Sequence, residues 1–373
     1  MSGGNRALLF APHFSEYTTH LAEALSRHGQ VLLVVNAGDR RRQCEPTWFN
    51  AATANVRVIE FSVSNRIWRA ISPSLLIAAA YIFRPLVVHV QEHPDKTSTR
   101  VTDILSRRFP TVVTVHDPKP HSGADSDYLH RGALSLRDKI RESADMFHVH
   151  GAYCEKELRS VDTSRPVVQT LHGVIHVPRD DQRRDPDPKR ILFFGRMEAY
   201  KGLGVLLDAM DILNGDGCGY TLVIAGRGTD LNALRDRAHR TPGVVLLDRF
   251  LSPDEVVDEY QKAAVVVLPY LDATQSGVAA GGVANGRPIV STNVGGLTDV
   301  VVDEKNGLVI EPGDSVALAQ ALRRVLGDDA LRAKLTAGSE ATQLLLDWGA
   351  IAKTISAAYA DLESSGWVDE SVE

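Results

Sequence analysis

A chain of 373 residues with 44% hydrophobic and 24% charged content has a globular composition, and at this length one core normally gives way to two. A net charge of −6 argues against nucleic acid as a partner, because binding phosphate backbones needs a basic surface. The three cysteines, Cys44, Cys154 and Cys218, are odd in number and lack C-x-x-C spacing, so neither a disulfide framework nor a zinc knuckle is indicated. The charge is unevenly spread: residues 1–170 hold 21 Lys and Arg against 17 Asp and Glu, and the remainder 20 against 30. The mildly basic first half suits an anionic acceptor or a membrane surface.

The opening "MSGGNRALLFAPHF" has an apolar run of six residues, too short for a signal peptide, and the expected setting is reducing and cytoplasmic. "RALLFAP", "QVLLVVN", "VRVIEFS", "LVVHVQE", "TVVTVHD" and "MFHVHG" are near-continuously apolar, as parallel strands covered on both faces should be. Between the first two, "YTTHLAEALSRHG" predicts a helix with Leu21, Ala24 and Leu25 on one face and Gly29 at its end. "IWRAISPSLLIAAAYIFRPL" is interrupted by Arg69, Ser72, Pro73 and Ser74. It reads as a buried helix rather than a membrane span, with an interfacial helix as the second reading. His116 ends the strand in "TVVTVHDPKPH", where ligands sit in open α/β sheets; a satisfied core histidine is the competing reading. His148 and His150 share a strand face with no third ligand spaced for a metal, so no metal site is expected.

Residues 178–190, "PRDDQRRDPDPKR", are too charged and proline-rich for any core and read as a linker. After them the alternation restarts with "RILFFG", "YTLVIAG", "GVVLLD", "AAVVVLP", "RPIVST" and "NGLVIEP". Two such series predict two doubly wound α/β domains. The expected division is 1–177, linker 178–190, 191–345, and a C-terminal segment 346–373 whose helix, with Trp348 and Tyr359, crosses back to the first domain.

Four stretches of the second half carry candidate chemistry. In "GRMEAYKGL", Gly195 permits a sharp turn, Arg196 offers a planar fork of donors and Lys201 a mobile ammonium, a pair suited to two phosphates. "VIAGRGTDL" has Leu231 where a dinucleotide fingerprint needs its third glycine, which disfavours a dehydrogenase and leaves Gly226 as a tight turn near a ligand. "SPDEVVDEY" is a capping box in which Glu255 is structural, and Arg249 just before it is a candidate donor ligand. In "YLDATQSGVAAGGVANG", Asp272, Thr274, Gln275, Ser276 and Gly277 precede a helix whose N-terminal N–H groups would face an anion. The competing reading of its small residues is a close helix-on-sheet contact.

With these segments in this order, "FFGRMEAYKG", "LVIAGRG", "VVVLPYLDATQSGV", "NGRPIVSTNVGGLTDVV" and "NGLVIEPGD", residues 190–326 resemble a family 4 glycosyltransferase. In the first half the resemblance is confined to "TVVTVHD" and "LHGV", and "FAPHFSEY" lacks the family's usual glycines. The resemblance implies the GT-B fold, two Rossmann-like domains facing a central cleft, and a retaining transfer from a nucleotide-sugar to a glycan, lipid-linked or small-molecule acceptor. Arg196 and Lys201 would hold the diphosphate, Thr274–Gly277 would meet sugar and phosphates, and His116 would lie near the reacting centre on the acceptor side. No cofactor is expected, the nucleotide-sugar, of UDP or GDP type, being a substrate. The family commonly carries two glutamates eight residues apart; here those positions are Ala273 and Gly281, with Asp272 a partial substitute for the first, which resembles a subgroup with an "ATQSG" loop. A non-catalytic scaffold of the same fold is the alternative function. Peripheral contact at the inner face of a membrane through the first domain stays open.

Overall fold

The computed structural model describes residues 5–43, 55–62, 66–119, 132–175, 177–178 and 180–364; Cys44, Arg179 of the charged segment and the tail after 364 lie outside the described residues. The six apolar runs of the first half form β1 (Asn5–Ala11), β2 (Gly29–Asn36), β3 (Val56–Phe61), β4 (Val87–Gln91), β5 (Thr111–Val115) and β6 (Met146–His150), and β7 (Val167–Thr170) joins them. These strands form one parallel sheet in the order β3-β2-β1-β4-β5-β6-β7. Sequence patterning misses β7, because its four residues sit at the sheet edge behind Pro166 and only Thr170 is fully buried.

The second half forms β8 (Asp187–Phe194), β9 (Thr221–Ala225), β10 (Val244–Leu247), β11 (Ala263–Leu268), β12 (Ile289–Thr292) and β13 (Gly307–Ile310), a parallel sheet ordered β10-β9-β8-β11-β12-β13. The charged segment behaves differently from a plain linker. It opens with a short turn at Asp180–Gln182, and its last four residues already belong to β8. Surface ion pairs rather than apolar burial hold it: Arg184 meets Asp258 at 2.7 Å and Arg190 meets Glu259 at 2.6 Å.

Helices cover both faces of each sheet. In chain order they are α1 (Ser15–Leu25), α2 (Ala37–Gln43), α3 (Arg66–Phe83), α4 (Lys96–Ser106), α5 (Ala133–Glu142), α6 (Gly151–Arg159), α7 (Leu203–Asn214), α8 (Thr229–Arg240), α9 (Pro253–Lys262), α10 (Gly277–Ala284), α11 (Leu297–Val300), α12 (Ser315–Gly327), α13 (Asp329–Gln343) and α14 (Trp348–Ser364). The continuous apolar runs follow from this double covering. Val88, Val90, Phe147 and Val149 face one core of the first sheet, while Leu9, Leu33 and Val112 face another. The last helix, α14, packs Ile351, Ile355 and Tyr359 into that second core, against α1 and the first sheet. In each sheet the strand order reverses once, between β1 and β4 and between β8 and β11. Ligands of doubly wound sheets sit at such reversals, beyond the strand C-termini.

Candidate functional site

At the second reversal two loops meet. After β8, Gly195 adopts φ +117°, a conformation that favours glycine, and a Cβ there would lie 3.0 Å from Lys201 Nζ and 3.3 Å from Val278 of α10. The turn thus threads between a lysine ammonium and the first turn of the facing helix. Lys201 is buried and donates to Tyr270 Oη at 3.0 Å, with its ammonium 4.9 Å from the centre of that ring. This phenol fixes the ammonium at the strand end. Arg196 is exposed on the same turn.

After β11, the loop 269–276 leads to α10, whose N-cap is Ser276: its Oγ accepts from the Ala279 N–H at 3.2 Å. The first intrahelical bond runs from Ala280 to the Ser276 carbonyl, so the Gly277 and Val278 N–H groups precede it and point out of the helix end. Gln275 Oε1, on the same loop, is buried with no hydrogen-bond partner, an acceptor that a donor such as a hydroxyl would satisfy. Gly195, Lys201, Gln275, Ser276 and Gly277 therefore converge on one end of the second sheet.

Other expected residues have structural partners that sequence could not supply. Gly226, at φ +136°, packs against the Gly195 carbonyl, which leaves no room for a Cβ; its glycine serves the packing of two adjacent turns. Arg249 lies exposed and is held bidentately by Glu255 at 2.9 and 2.6 Å, so the capping-box carboxylate also anchors this arginine. Ala273 is buried, and Gly281 faces Tyr260: a Cβ at 281 would stand 2.6 Å from the phenol oxygen. Tyr260 fills the space beside the second family glutamate position, and its hydroxyl donates to the Val278 carbonyl at 3.2 Å.

Across the cleft, His116 follows β5 and is buried. Its Nε2 is 2.8 Å from Gln91 Oε1, which makes Nε2 the protonated nitrogen, and its Nδ1 is buried without a partner. Burial, with the field of His172 second, lowers its pKa to about 3, so the ring is neutral and Nδ1 carries a lone pair. The ring stacks on Phe14 with centroids 3.8 Å apart. Phe14 itself sits at φ 60°, ψ 41°, at the β1–α1 turn. This places a residue with a Cβ in the left-handed region, which costs backbone energy, within a junction that lacks glycine.

Several further rings surround His116, among them His172 of "LHGV" and the His148–His150 pair. His172 lies beyond β7 and its Cε1 is 3.9 Å from the Cβ position of Gly277, across the cleft from the α10 N-terminus. Burial lowers its pKa to about 4. Tyr17 of α1 contacts the rings of His116, His150 and His172 at 5.4, 5.2 and 5.1 Å. His148 lies in a bonded row across four strands: Tyr359 Oη to His89 at 2.5 Å, His89 to Thr114 at 2.6 Å, Thr114 to His148 at 3.0 Å and His148 to Thr170 at 2.8 Å. His148 is thus a satisfied core histidine, whereas both ring nitrogens of His150 are buried without a partner.

Among the described residues, three contacts link the loops of the two halves beside the cleft. Asp117, next to His116, accepts from the Thr274 hydroxyl of the β11–α10 loop. Cys154 Sγ lies 3.6 Å from the Thr274 carbonyl. Asp299 of α11 accepts from the Tyr153 N–H at 3.0 Å, capping α6 of the other half. The Asp117 loop is itself braced by Arg141, which is bidentate to Glu92 at 2.6 and 2.9 Å and donates to the Pro118 carbonyl at 3.1 Å.

These two loops lie within a segment that matches a known family. Residues 188–328 match the family described as Glycosyl transferases group 1. A D-inositol 3-phosphate glycosyltransferase from Xylanimonas cellulosilytica is 35% identical, over 59% of this chain and 54% of that protein, so the chain spans about half the length of that relative. Among solved structures, a sucrose-phosphate synthase from Thermosynechococcus elongatus aligns with a TM-score of 0.76 at 21% identity, over 97% of this chain and 100% of that one. HepE from Anabaena, solved in complex with UDP, aligns with a TM-score of 0.71 at 15% identity, over 96% and 100% of the two chains. The fold is GT-B: two Rossmann-like sheets with their strand C-termini turned to a common cleft.

Proposed function

We propose that the protein is a glycosyltransferase that moves a sugar from a nucleoside diphosphate donor to an acceptor hydroxyl, with retention at the anomeric carbon. One observation carries this reading. Gly195, Lys201 and the N-terminus of α10 enclose a single position, where Tyr270 holds the Lys201 ammonium. A diphosphate there meets a fixed ammonium, oriented backbone N–H groups and, on the same turn, the Arg196 guanidinium. As the bond from the anomeric carbon to the diphosphate oxygen breaks, that oxygen takes the electron pair, and these groups stabilise the growing charge without any loop carboxylate. The acceptor oxygen forms its bond on the face the diphosphate leaves, and its proton passes to the departing phosphate oxygen, which has taken the electron pair. The lone pair of His116 Nδ1 suits a hydrogen bond from a hydroxyl of sugar or acceptor, which orients it for that step. The acceptor class is a glycan, a lipid-linked sugar or a small molecule.

The test is calorimetry with UDP and GDP on wild type, Arg196→Ala and Lys201→Ala. One diphosphate should bind wild type, and each substitution should weaken it by about 2–5 kcal/mol, the usual cost of leaving a charged group unpaired. Absence of binding to either diphosphate at millimolar concentration refutes the reading. The scaffold alternative draws on Gly281, where Tyr260 leaves no space for the missing carboxylate. Diphosphate binding with no hydrolysis or transfer from any nucleotide-sugar would decide in its favour.

A further inference from the structure

Helix α3 leaves an unusual surface. Ile67, Ile71, Leu75 and Ile82 are 68, 45, 54 and 84% exposed, and their spacing puts them on one face of the helix. Trp68 and Tyr81, each 47% exposed, flank this stripe near its two ends. The opposite face buries Leu76, Ala80 and Phe83 in the first domain's core. The helix is therefore apolar on both sides, and none of its 18 residues is acidic. At 1.5 Å per residue the stripe, from Ile67 to Ile82, runs about 23 Å along the side of the domain. At its C-terminal end Tyr81 opens onto a hollow of about 670 Å³ whose charged lining is Arg6, Arg84, Arg108 and one acid, Glu363.

We propose that this face docks on an anionic membrane surface, with the stripe entering the headgroup boundary and the arginine hollow taking a lipid phosphate. Three features select a bilayer over a second copy of the chain. Interfacial aromatics stand near both ends of the stripe, as they do where a helix lies at the headgroup level. The arginines call for anions, and α3 carries no carboxylate that a symmetry mate could offer them. No helix among the described residues is long and apolar enough to cross a membrane, so α3 lies in the interface plane. It starts beyond the C-terminal end of β3 and runs back to the strand N-termini, where the hollow lies beside the starts of β1, β4 and β5, so a docked protein would lay the side of its first domain on the lipid with the cleft at one end of the contact.

The experiment is sedimentation of the full chain with vesicles of phosphatidylcholine alone and with phosphatidylglycerol added. Wild type should bind the anionic vesicles, and added salt should release it. Leu75→Glu with Ile82→Glu should lower the vesicle partition coefficient at least tenfold, and Arg84→Gln or Arg108→Gln about fivefold each. All the substituted side chains lie at the surface, so thermal melting should match wild type, and nucleoside diphosphate binding should be unchanged. Failure here would therefore leave the donor-site reading standing. No sedimentation with any vesicle, or equal sedimentation of the glutamate variant, overturns the proposal. So does light scattering that shows a dimer of wild type and a monomer of that variant, which would assign the face to a second copy.

Discussion

Substituting Gly281 tests the packing that replaces the family's second carboxylate. A Cβ built at 281 stands 2.6 Å from Tyr260 Oη, 2.9 Å from Cζ and 3.1 Å from Cε2. None of these atoms yields easily: the Tyr260 ring is 1% exposed, and its hydroxyl is tied to the Val278 carbonyl at 3.2 Å. Overpacking of this kind costs about 1–3 kcal/mol, against a gain of up to about 1 kcal/mol from alanine's better helix propensity. Gly281→Ala should therefore destabilise by roughly 1–2 kcal/mol, which in a domain of this size lowers the melting temperature by about 2–8 °C. In a Tyr260→Leu background the obstructing phenol is gone, and the same substitution should be neutral or stabilising. Scanning calorimetry on the four proteins gives the coupling, expected at about 1 kcal/mol or more. A Gly281→Ala protein that melts at or above wild type refutes this packing. Gly281→Glu adds a buried carboxylate to the same clash, so restoring the family's acid should unfold the region rather than tighten donor binding.

The buried imidazoles should make the protein acid-labile. Burial holds His116 and His148 to about 3 and His172 to about 4, and keeps His89 and His150 well below the usual value. The unfolded chain takes up these protons first, so their contribution is complete above about pH 6.5 and is lost as pH falls below it, by about 1.4 kcal/mol per pH unit and histidine. Urea titrations at successive pH values should show a steep loss from pH 6.5 to 5; a flat profile would mean these rings are solvated. At the domain contact, Asp299→Ala removes the acceptor for the Tyr153 N–H, and in Gly151→Ala the new Cβ meets the Asp299 carboxylate. Both should enlarge the radius of gyration in small-angle scattering and lower stability by about 0.5–2 kcal/mol, the worth of a helix cap. Unchanged scattering from both would show that Asp299 does not hold the halves together.

What could be read from sequence divides along a physical line. Strands rich in Val, Ile and Leu announce themselves, the covered ones by continuous apolar runs and the edge strands β3 and β10 by their β-branched content; twelve of the thirteen strands of the described residues follow from such patterns. The half-exposed edge strand β7 has no such constraint and was invisible. Local chemistry was equally legible: the Ser252–Glu255 capping box and the Ser276 cap depend only on residues three apart. Contacts between distant segments had no such signature. Nothing in the spacing of "SPDEVVDEY" says that Tyr260 fills the space beside Gly281, or that Glu255 holds Arg249 as well as its own helix.

The acceptor side shows the same limit more sharply. His116 could be placed because it ends an apolar strand, and strand ends point at ligands. His172 ends a strand too short to recognise, and Phe14 occupies a left-handed turn that its sequence disguises. Those two residues define the surroundings of His116, one through its field and one through its ring. The departures from the family pattern share a form. At the β1–α1 turn, whose sequence lacks the glycines the resemblance would supply, the Phe14 ring stacks on His116; at 281, where the resemblance would supply a glutamate, the Tyr260 ring fills the space. Each replacement exchanges a polar or flexible element for packed apolar surface. On the proposed function, the charge of a departing diphosphate would fall on the groups at the β8 turn and the α10 N-terminus.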